Sequence, residues 1–544
     1  MFKSQDKFWF AASIVAAILF SLSGFALSWH DYTIQDDARQ HVFWLQRLNE
    51  PELFKNDLIA DYFSSVAPVG YKLVYWFANL FGLKPLLFNK LLPLFLGIGT
   101  SIYMYLVTLE IFPVPLAGFW ATLLLNQNLW LLDDLVSGTP RAFFYVLFLG
   151  FVYYLLRQQL LFCLLFIALQ GLFYPQVGLV SVGILFLNLI VQKHNKYFYL
   201  QGLITGVAVL VWYKLQATGF TEVITLARAK QLPEFLPGGR NEFYLNNPVY
   251  FWLIGRRSGF FPFEWQYLAM VSFGLLLPAI KKLSNQFPLV NQLNSKVGII
   301  WQIVLTSMGL FLLSHLMLFR LHLPSRYSQH TCRVAIALLA GITVTVLLHK
   351  LIDLVAKHSK THQVIILAIA LAGLLYPTYA VQAYPHRLGY VTGKATELYQ
   401  FLQRQPKDIT IATLSLEADF IPSLAQRTVL TAREYSIPYH WDYYQQIRQR
   451  TKDLIQAQYS QSQADLQQFV QKYHIDLWLL DATAFNIAYL EQNDWLRQFQ
   501  PEIKQAIATL EQPQQPAIIN SIERCSIFKT PDLNLIASTC LMEN

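Results

Sequence analysis

Long runs of apolar residues, separated by short polar loops, make up most of the chain before residue 385. The runs fall at 8–29, 85–110, 113–131, 140–156, 159–173, 177–192, 198–215, 264–280, 297–319, 331–349 and 363–381. The pattern predicts a polytopic α-helical membrane protein with about eleven transmembrane helices, because an apolar helix of about 20 residues spans a bilayer core. The first run is longer than the apolar core of a typical signal peptide, so we expect a retained first helix.

A weaker apolar stretch lies in the long polar segment that follows the first run. It extends from Val69 to Leu83 and is interrupted by Lys72. An interrupted apolar stretch of this kind is typical of an amphipathic helix that lies in the membrane interface. We therefore predict an interfacial helix here and no additional span.

The pattern changes after residue 385, where the chain becomes polar and rich in glutamine. Short apolar runs at 409–414 and 475–480 predict buried strands, and helical periodicity appears at 442–459 and 462–473. We therefore predict two domains. Residues 1–384 form the transmembrane domain, and residues 385–544 form a soluble α/β domain.

The composition supports lipid as the solvent of the first domain. Of the 544 residues, 54% are hydrophobic and only 14% are charged, whereas soluble proteins carry about 25% charged residues. The net charge of +8 comes mainly from short loops and forms no basic stripe with interleaved aromatic residues. A nucleic-acid partner is therefore not expected.

The positions of the basic residues predict the orientation of the chain. With a cytoplasmic N-terminus, the cytoplasmic loops contain Arg157, Lys193, Lys196, Lys281, Lys282, Lys350, Lys357 and Lys360. This arrangement obeys the positive-inside rule at loop after loop. We expect a multi-pass protein of the plasma (inner) membrane whose C-terminal domain is extracytoplasmic. In an exported domain Cys525 and Cys540 can form a disulfide, although their spacing alone does not decide this.

Two adjacent carboxylates follow the first predicted helix in the segment Gln35-Asp36-Asp37-Ala38-Arg39-Gln40-His41. Adjacent acids at a membrane boundary repel each other, so they usually need a cation, a basic partner or a protonated substrate. Capping of the next helix explains one acid, but it does not require both. Asp36 and Asp37 are therefore candidate catalytic residues.

A second predicted outer loop repeats this theme, with Asp133 and Asp134 followed by Arg141. The loop is short, so all three side chains are expected at the membrane surface. Thr139 and Pro140 form a good helix start, so a purely structural role remains an alternative.

A late outer loop runs against the charge bias, since three arginines and two histidines fall between Arg320 and Arg333. Arginine is suited to bidentate phosphate binding. A phosphate-headed lipid substrate would account for so many arginines on this side of the membrane. Alternatively, Arg320 only reaches the interface and pairs with a loop acid. The candidate phosphate-binding residues of this loop are Arg326, Tyr327, Gln329 and His330.

Together these features resemble the GT-C class of glycosyltransferases, which includes oligosaccharyltransferase catalytic subunits and protein O-mannosyltransferases. The features that carry the resemblance are an outward acidic pair after helix one, a large first outer loop, a second acidic loop, a late arginine loop and an outer C-terminal domain. The resemblance covers about residues 1–385, and its residue-level match is the acidic pair at Asp36 and Asp37. It implies a GT-C-like fold and a donor sugar carried on a polyprenyl phosphate.

The resemblance also implies roles for the candidate residues. Asp36 matches the acid expected to be the general base for the acceptor hydroxyl or a metal ligand, and Asp37 would orient it or share a divalent metal such as Mg or Mn. Arg326, with Arg141, would neutralise the leaving phosphate, and Tyr327, Gln329 and His330 would donate supporting hydrogen bonds. We therefore expect Asp36 and Arg326 to face one outward-opening cavity.

The expected activity is transfer of a sugar, with inversion, to an extracytoplasmic glycan, lipid or protein acceptor. Two alternatives stay open. One is a non-catalytic lipid- or glycan-binding envelope protein that has kept the fold. The other is a transporter, which would be expected to show ionisable residues near the middle of the membrane.

Overall fold

The computed structural model describes residues 4–215, 219–262, 265–383 and 388–543. The helices before residue 384 are α1 (Ser4–Ser28), α2 (Ala38–His41), α3 (Leu58–Val66), α4 (Val69–Leu80), α5 (Pro85–Ile111), α6 (Pro115–Leu129), α7 (Asp133–Val136), α8 (Phe144–Leu156), α9 (Leu160–Phe173), α10 (Pro175–Val191), α11 (Lys196–Leu215), α12 (Leu226–Ala229), α13 (Trp265–Lys282), α14 (Ile299–Leu316), α15 (Gln329–Val355) and α16 (Lys360–Ala383). The later helices are α17 (Thr396–Gln403), α18 (Ile421–Leu424), α19 (Trp441–Gln458), α20 (Gln463–Tyr473), α21 (Ile487–Gln492), α22 (Glu502–Leu510), α23 (Ile519–Cys525) and α24 (Ser538–Met542). The strands are β1 (Thr33–Gln35), β2 (Tyr390–Thr392), β3 (Thr410–Thr413), β4 (Thr428–Val429), β5 (Leu477–Asp481), β6 (Ser526–Lys529) and β7 (Leu533–Ala537).

Each of the predicted apolar segments coincides with a helix, from α1 through α5, α6, α8 to α11 and α13 to α16. Prolines occupy the first turns of α5, α6 and α10, where the missing N–H costs no hydrogen bond. In the described ranges, six helices are long and apolar enough to cross a membrane, and shorter apolar helices accompany them. The helical character of the segments is confirmed, while the number that cross stays a prediction.

The centre of the helical domain is α15, which packs against α6, α13 and α14. Gly341 allows α15 to approach α6 closely, since a Cβ there would lie 2.4 Å from the backbone nitrogen of Ala121. The α1 helix packs against α5 and α6 at the side of this core. This arrangement fixes the ends of α1, α6 and α15 from which the candidate loops emerge.

The first outer loop folds into α3 and α4. Asp57 caps α3 by accepting hydrogen bonds from the N–H groups of Ile59 (2.8 Å) and Ala60 (3.2 Å). The α4 helix confirms the helix predicted within 69–83, and it exposes the apolar side chains Leu73, Trp76, Phe77 and Leu80. Its position in a membrane interface stays a prediction.

The C-terminal region contains a five-stranded sheet in the order β4-β3-β5-β7-β6. The β3 strand is parallel to β4 and β5, and β7 is antiparallel to β5 and β6. The predicted strands coincide with β3 and β5, and the predicted helices coincide with α19 and α20. A disulfide joins Cys525 to Cys540, with Cα atoms 5.6 Å apart.

No local sequence pattern indicated that the first outer loop and the C-terminal region share a core. The β1 strand pairs antiparallel with β2, and the Tyr62 ring of α3 stacks on the Tyr443 ring of α19 with centroids 3.6 Å apart. Phe43 and Tyr435 join the same buried cluster. The loop that contains the candidate acids is therefore held by the C-terminal region.

Candidate active site

The acidic pair lies where β1 ends and α2 begins. Asp37 occupies the residue before α2, but its side chain accepts no capping hydrogen bond. The Asp36 carboxylate instead pairs with Arg39, and the Asp37 carboxylate accepts a 2.6 Å hydrogen bond from Arg141. The two acids therefore have different arginine partners, and capping does not account for Asp37.

The two acidic outer loops meet at Arg141. Its guanidinium lies 2.6 Å from Asp37, 3.4 Å from Asp133 and 3.4 Å from Asp134. Gly389 lies beside this junction at a φ of +71°, and a Cβ there would be 3.7 Å from the Cβ of Asp36 and 3.4 Å from that of Asp133. Two segments that are about 100 residues apart in sequence thus converge at one end of the helical bundle.

Asp134 belongs to a buried ion cluster below this face. Its carboxylate pairs with Arg333, accepts a hydrogen bond from Tyr145 (3.1 Å) and lies 3.3 Å from the Nδ1 atom of His330. Burial by itself would raise the pKa of Asp134, but His330, Arg333 and Arg141 hold it well below its ordinary value. Asp134 therefore ties the second acidic loop to α15.

We expect Arg333→Ala to lower the free energy of unfolding by about 3–5 kcal/mol, because it leaves the buried Asp134 charge without its closest partner. Thermal unfolding of the purified protein in detergent measures the effect. The control is Arg228→Ala, which breaks the exposed pair with Glu222 (2.6 Å) and should cost less than about 1 kcal/mol. Equal losses in the two variants would contradict the role assigned to the cluster.

Arg326 is a half-buried arginine of the late outer loop, whereas Arg320 of the same loop is exposed. Arg326 lies in a turn formed by Pro324–Tyr327. Within the described part of the chain, its side chain makes no ion pair or hydrogen bond, in contrast with Arg141 and Arg333. A half-buried guanidinium without a carboxylate is suited to binding an anion.

The other predicted donor-binding residues of this loop bind protein groups. The Tyr327 hydroxyl donates to the Leu321 carbonyl (2.7 Å), and the Gln329 amide donates to the Gly255 carbonyl (3.1 Å). His330 contacts Tyr145 and Asp134 through Nδ1. These three residues shape the loop around Arg326, and their contact with a donor stays a prediction.

Two further groups lie around Arg326 that the sequence did not single out as phosphate-binding. His322 is enclosed by its surroundings, and burial together with the positive charges of Arg326 and Arg257 lowers its pKa to about 3. The Arg257 guanidinium lies near the Glu242 carbonyl and the Asn241 amide oxygen, both at 3.4 Å. A neutral histidine beside these two guanidinium groups gives this part of the site a net positive charge.

Tyr174, at the start of α10, connects the two halves of the site. It lies within electrostatic reach of Arg326, Arg141 and Asp134. His330 of the late loop also lies 3.3 Å from Asp134, which in turn lies 3.4 Å from Arg141, so the acidic junction and the late loop are on the same side of the bundle. That Asp36 and Arg326 open into one cavity stays a prediction.

Sequence reasoning missed the residues that surround Asp36 from the C-terminal region. Arg39 Nη2 donates to Asp36 and also to Glu434 (2.9 Å), and Asp419 lies 4.0 Å from Arg39 Nη1. Arg240 lies in the long segment between α11 and α13, which the predicted topology makes the third outer loop, and its guanidinium is 3.1 Å from Glu434. Arg39 lies within the acidic motif, so the sequence indicated that it forms an ion pair there. Its partners in the C-terminal region are about 380 to 395 residues away, so sequence did not identify them.

The predicted site for a divalent metal is at Asp36 and Asp37. In the described ranges, no three His, Cys, Asp or Glu side chains approach closely enough to hold a metal ion. Asp36 and Asp37 each direct one carboxylate oxygen to a different arginine, and the second oxygen of each makes no described ion pair. A divalent ion at Asp36 and Asp37 stays a prediction, and the chemistry below is derived from protein side chains alone.

Comparison with known proteins identifies the fold. No family model and no curated protein sequence matches the chain. The apo oligosaccharyltransferase of Archaeoglobus fulgidus matches with a TM-score of 0.52 at 11% identity, over 90% of this chain and 72% of that protein. The oligosaccharyltransferase AglB of the same organism, in complex with an inhibitory peptide and a dolichol-phosphate, matches with a TM-score of 0.50 at 12% identity, over 93% and 72%. The chain thus has the fold of a multi-pass GT-C membrane protein, as the resemblance in sequence implied.

Proposed function

We propose that this protein is a membrane glycosyltransferase that moves a sugar from a polyprenyl-phosphate donor to an extracytoplasmic acceptor, with inversion. One observation carries the proposal. On a GT-C fold, a half-exposed carboxylate, Asp36, and an arginine without a carboxylate partner among the described residues, Arg326, lie on the same side of the bundle, because contacts of Arg141 and His330 connect their loops through Asp134. Glycosyl transfer needs a base for the acceptor and positive charge for the leaving phosphate.

Asp36 has the properties of the base. Its side chain is 45% exposed, and within the described residues only one of its two oxygens accepts a side-chain hydrogen bond. Burial and the nearby Glu434 carboxylate raise the pKa of Asp36 above its ordinary value, against the opposing effect of Arg39. A raised pKa makes a carboxylate a better proton acceptor at neutral pH.

The reaction proceeds by direct displacement. Asp36 takes the proton of the acceptor hydroxyl while the acceptor oxygen bonds to the anomeric carbon. The bond between that carbon and the phosphate oxygen breaks, and its electron pair leaves with the lipid phosphate. Attack opposite the leaving group inverts the anomeric centre, and the guanidinium of Arg326 stabilises the charge that develops on the phosphate.

The role proposed for Arg141 differs from the predicted phosphate contact. Its guanidinium already faces Asp37, Asp133 and Asp134, so three carboxylates compete with any phosphate. We therefore assign Arg141 to holding the two acidic loops together. Asp37 and Asp133 then have a structural role, because their ion pairs with Arg141 hold the two loops in place beside Asp36.

The proposal also includes the kind of donor, the kind of acceptor and the orientation of the chain in the membrane. AglB binds a dolichol-phosphate and an inhibitory peptide, which favours a lipid-linked donor for this chain and admits a protein, glycan or lipid acceptor. The N-terminus lies in the cytoplasm, and residues 385–544 form the extracytoplasmic domain. The membrane is the plasma (inner) membrane, which supplies the donor.

The test is sugar transfer by the purified full-length protein in detergent. Labelled sugars on polyprenyl monophosphate and polyprenyl diphosphate are offered with glycan, lipid and peptide acceptors, and the anomeric configuration of the product is read by NMR. Transfer with inversion supports the proposal, and transfer with retention contradicts the mechanism. Donor binding without transfer favours the lipid-binding alternative, and movement of the intact ligand across sealed vesicles favours the transporter.

A further inference from the structure

The Arg39 guanidinium is shared between the outer loop and the C-terminal region. Its Nη2 atom donates to the Asp36 carboxylate and to Glu434 Oε2, which is 2.9 Å away. Its Nη1 atom lies 4.0 Å from Asp419, and its plane stacks on the Phe420 ring with the centroid 4.7 Å away. The side chain of Arg39 is only 7% exposed, so these contacts define its position closely.

Glu434 is itself held firmly on its other side. Its Oε1 atom accepts from the Gln40 amide and lies 3.1 Å from Arg240 Nη2. Its backbone N–H donates to Asp419 Oδ1 (2.7 Å). With 4% of its side chain exposed, Glu434 joins the first outer loop, the third outer loop and the C-terminal region in one buried charge cluster.

We propose that Glu434 is a positioning residue for Asp36, acting through Arg39. This inference rests on the proposed function and adds the C-terminal region to the machinery of that site. An arginine that faces a single carboxylate tends to form two parallel hydrogen bonds with it. Because Glu434 draws the end of the Arg39 side chain inward, and its Nε atom donates to the Asp36 backbone carbonyl (3.5 Å), the Asp36 carboxylate receives a single described side-chain hydrogen bond and keeps its second oxygen for an acceptor hydroxyl.

The test compares Glu434→Gln with a matched buried carboxylate, Glu234→Gln. Glu234 also ties the third outer loop to the C-terminal region, through Arg448 (2.8 Å) and Tyr444, and is 3% exposed. It makes no described contact with Arg39 or Asp36. If the two variants only weaken the contact between the third outer loop and the C-terminal region, both should lower activity alike. If Glu434 positions Asp36 through Arg39, only Glu434→Gln should lower it.

In Glu434→Gln we expect kcat to fall about 10- to 100-fold, since a small displacement of a reacting group has an effect of that size. The KM for the lipid donor should stay within about twofold, because Arg326 lies outside the cluster. Glu234→Gln should keep kcat, and Glu434→Asp, which retains the charge, should recover part of the loss. Equal kcat values in Glu434→Gln and wild type, or equal losses in Glu434→Gln and Glu234→Gln, would overturn the inference.

A second measurement does not depend on catalysis. Asp36 is coupled to an amine with a water-soluble carbodiimide, and mass spectrometry measures the fraction modified. We expect less modification in Glu434→Gln, where Arg39 closes on Asp36, and no change in Glu234→Gln. If the wild type transfers no sugar, the proposed function fails, but the labelling still tests the inference. Equal modification of Asp36 in Glu434→Gln and the wild type overturns the inference. Less modification in Glu434→Gln supports the contact by which Glu434 positions Asp36.

Discussion

Replacing Asp36 by asparagine is expected to lower kcat for sugar transfer by about 10²- to 10⁴-fold, the usual effect of removing a general base. The amide keeps the size of the side chain and still accepts the hydrogen bond from Arg39, but it takes no proton from the acceptor hydroxyl. The measurement is transfer of labelled sugar by the purified variant at saturating donor. The protein level and melting temperature should stay close to those of the wild type, because Asp36 is half-exposed.

The control for this variant is Asp61→Asn, in the same outer loop. Asp61 is 51% exposed and pairs with Arg47 at 2.9 Å, so it matches Asp36 in type and exposure but lies outside the site. Asp61→Asn should retain more than about half of the wild-type rate, as surface pairs contribute little. Wild-type activity in Asp36→Asn would assign the base to another residue.

The rate of transfer should also depend on pH through Asp36. Only the deprotonated carboxylate acts as a base, and the pKa of Asp36 is raised. The rate should therefore fall on acidification at a pH above the value of about 4 expected for an unperturbed aspartate. A profile of kcat/KM against pH measures this limb, and the residual activity of Asp36→Asn should lack it.

Replacing Arg326 by alanine is expected to lower kcat by about 10²- to 10³-fold, the usual cost of removing one group that stabilises charge in the transition state. Arg326 has no carboxylate partner among the described residues, so its charge is free to act on a bound phosphate. The KM for the donor should rise as well, because the ground-state phosphate loses the same contact. Arg326→Lys should recover part of the rate, since it restores the charge without the planar pair of donors.

The control for Arg326 is Arg320→Ala. Arg320 comes from the same loop and is exposed, but it is not among the charges that act on Tyr174 or His322. Steady-state kinetics with a polyprenyl-phosphate donor compares the two variants. Equal effects in both would indicate general attraction of the anionic lipid by the loop and would contradict a specific phosphate contact at Arg326.

Local sequence patterns determined most of the secondary structure. The apolar runs became helices because each is long, apolar and bounded by loop residues such as the prolines that open α5, α6 and α10. The strands β3 and β5 followed from short runs of β-branched and aliphatic residues. Asp36, Asp37, Asp133, Asp134 and Arg141 were also singled out by sequence, because charges at a membrane boundary are costly unless they are partnered.

Only the tertiary structure decided which charge meets which. Sequence offered Arg141 as a phosphate ligand, which stays a prediction, and the fold places it between Asp37 and Asp133, whereas Arg326 has no carboxylate partner among the described residues. It also brings Glu434 to Arg39 across 395 residues, which no local pattern encodes. The physical reason is that periodicity depends on neighbours a few residues apart, whereas a buried ion pair depends on how distant elements pack. The sequence by itself thus determined the helices and the acidic and basic loops, and tertiary packing decided that Asp36 lies half-exposed beside a buried charge cluster of Arg39, Asp419 and Glu434.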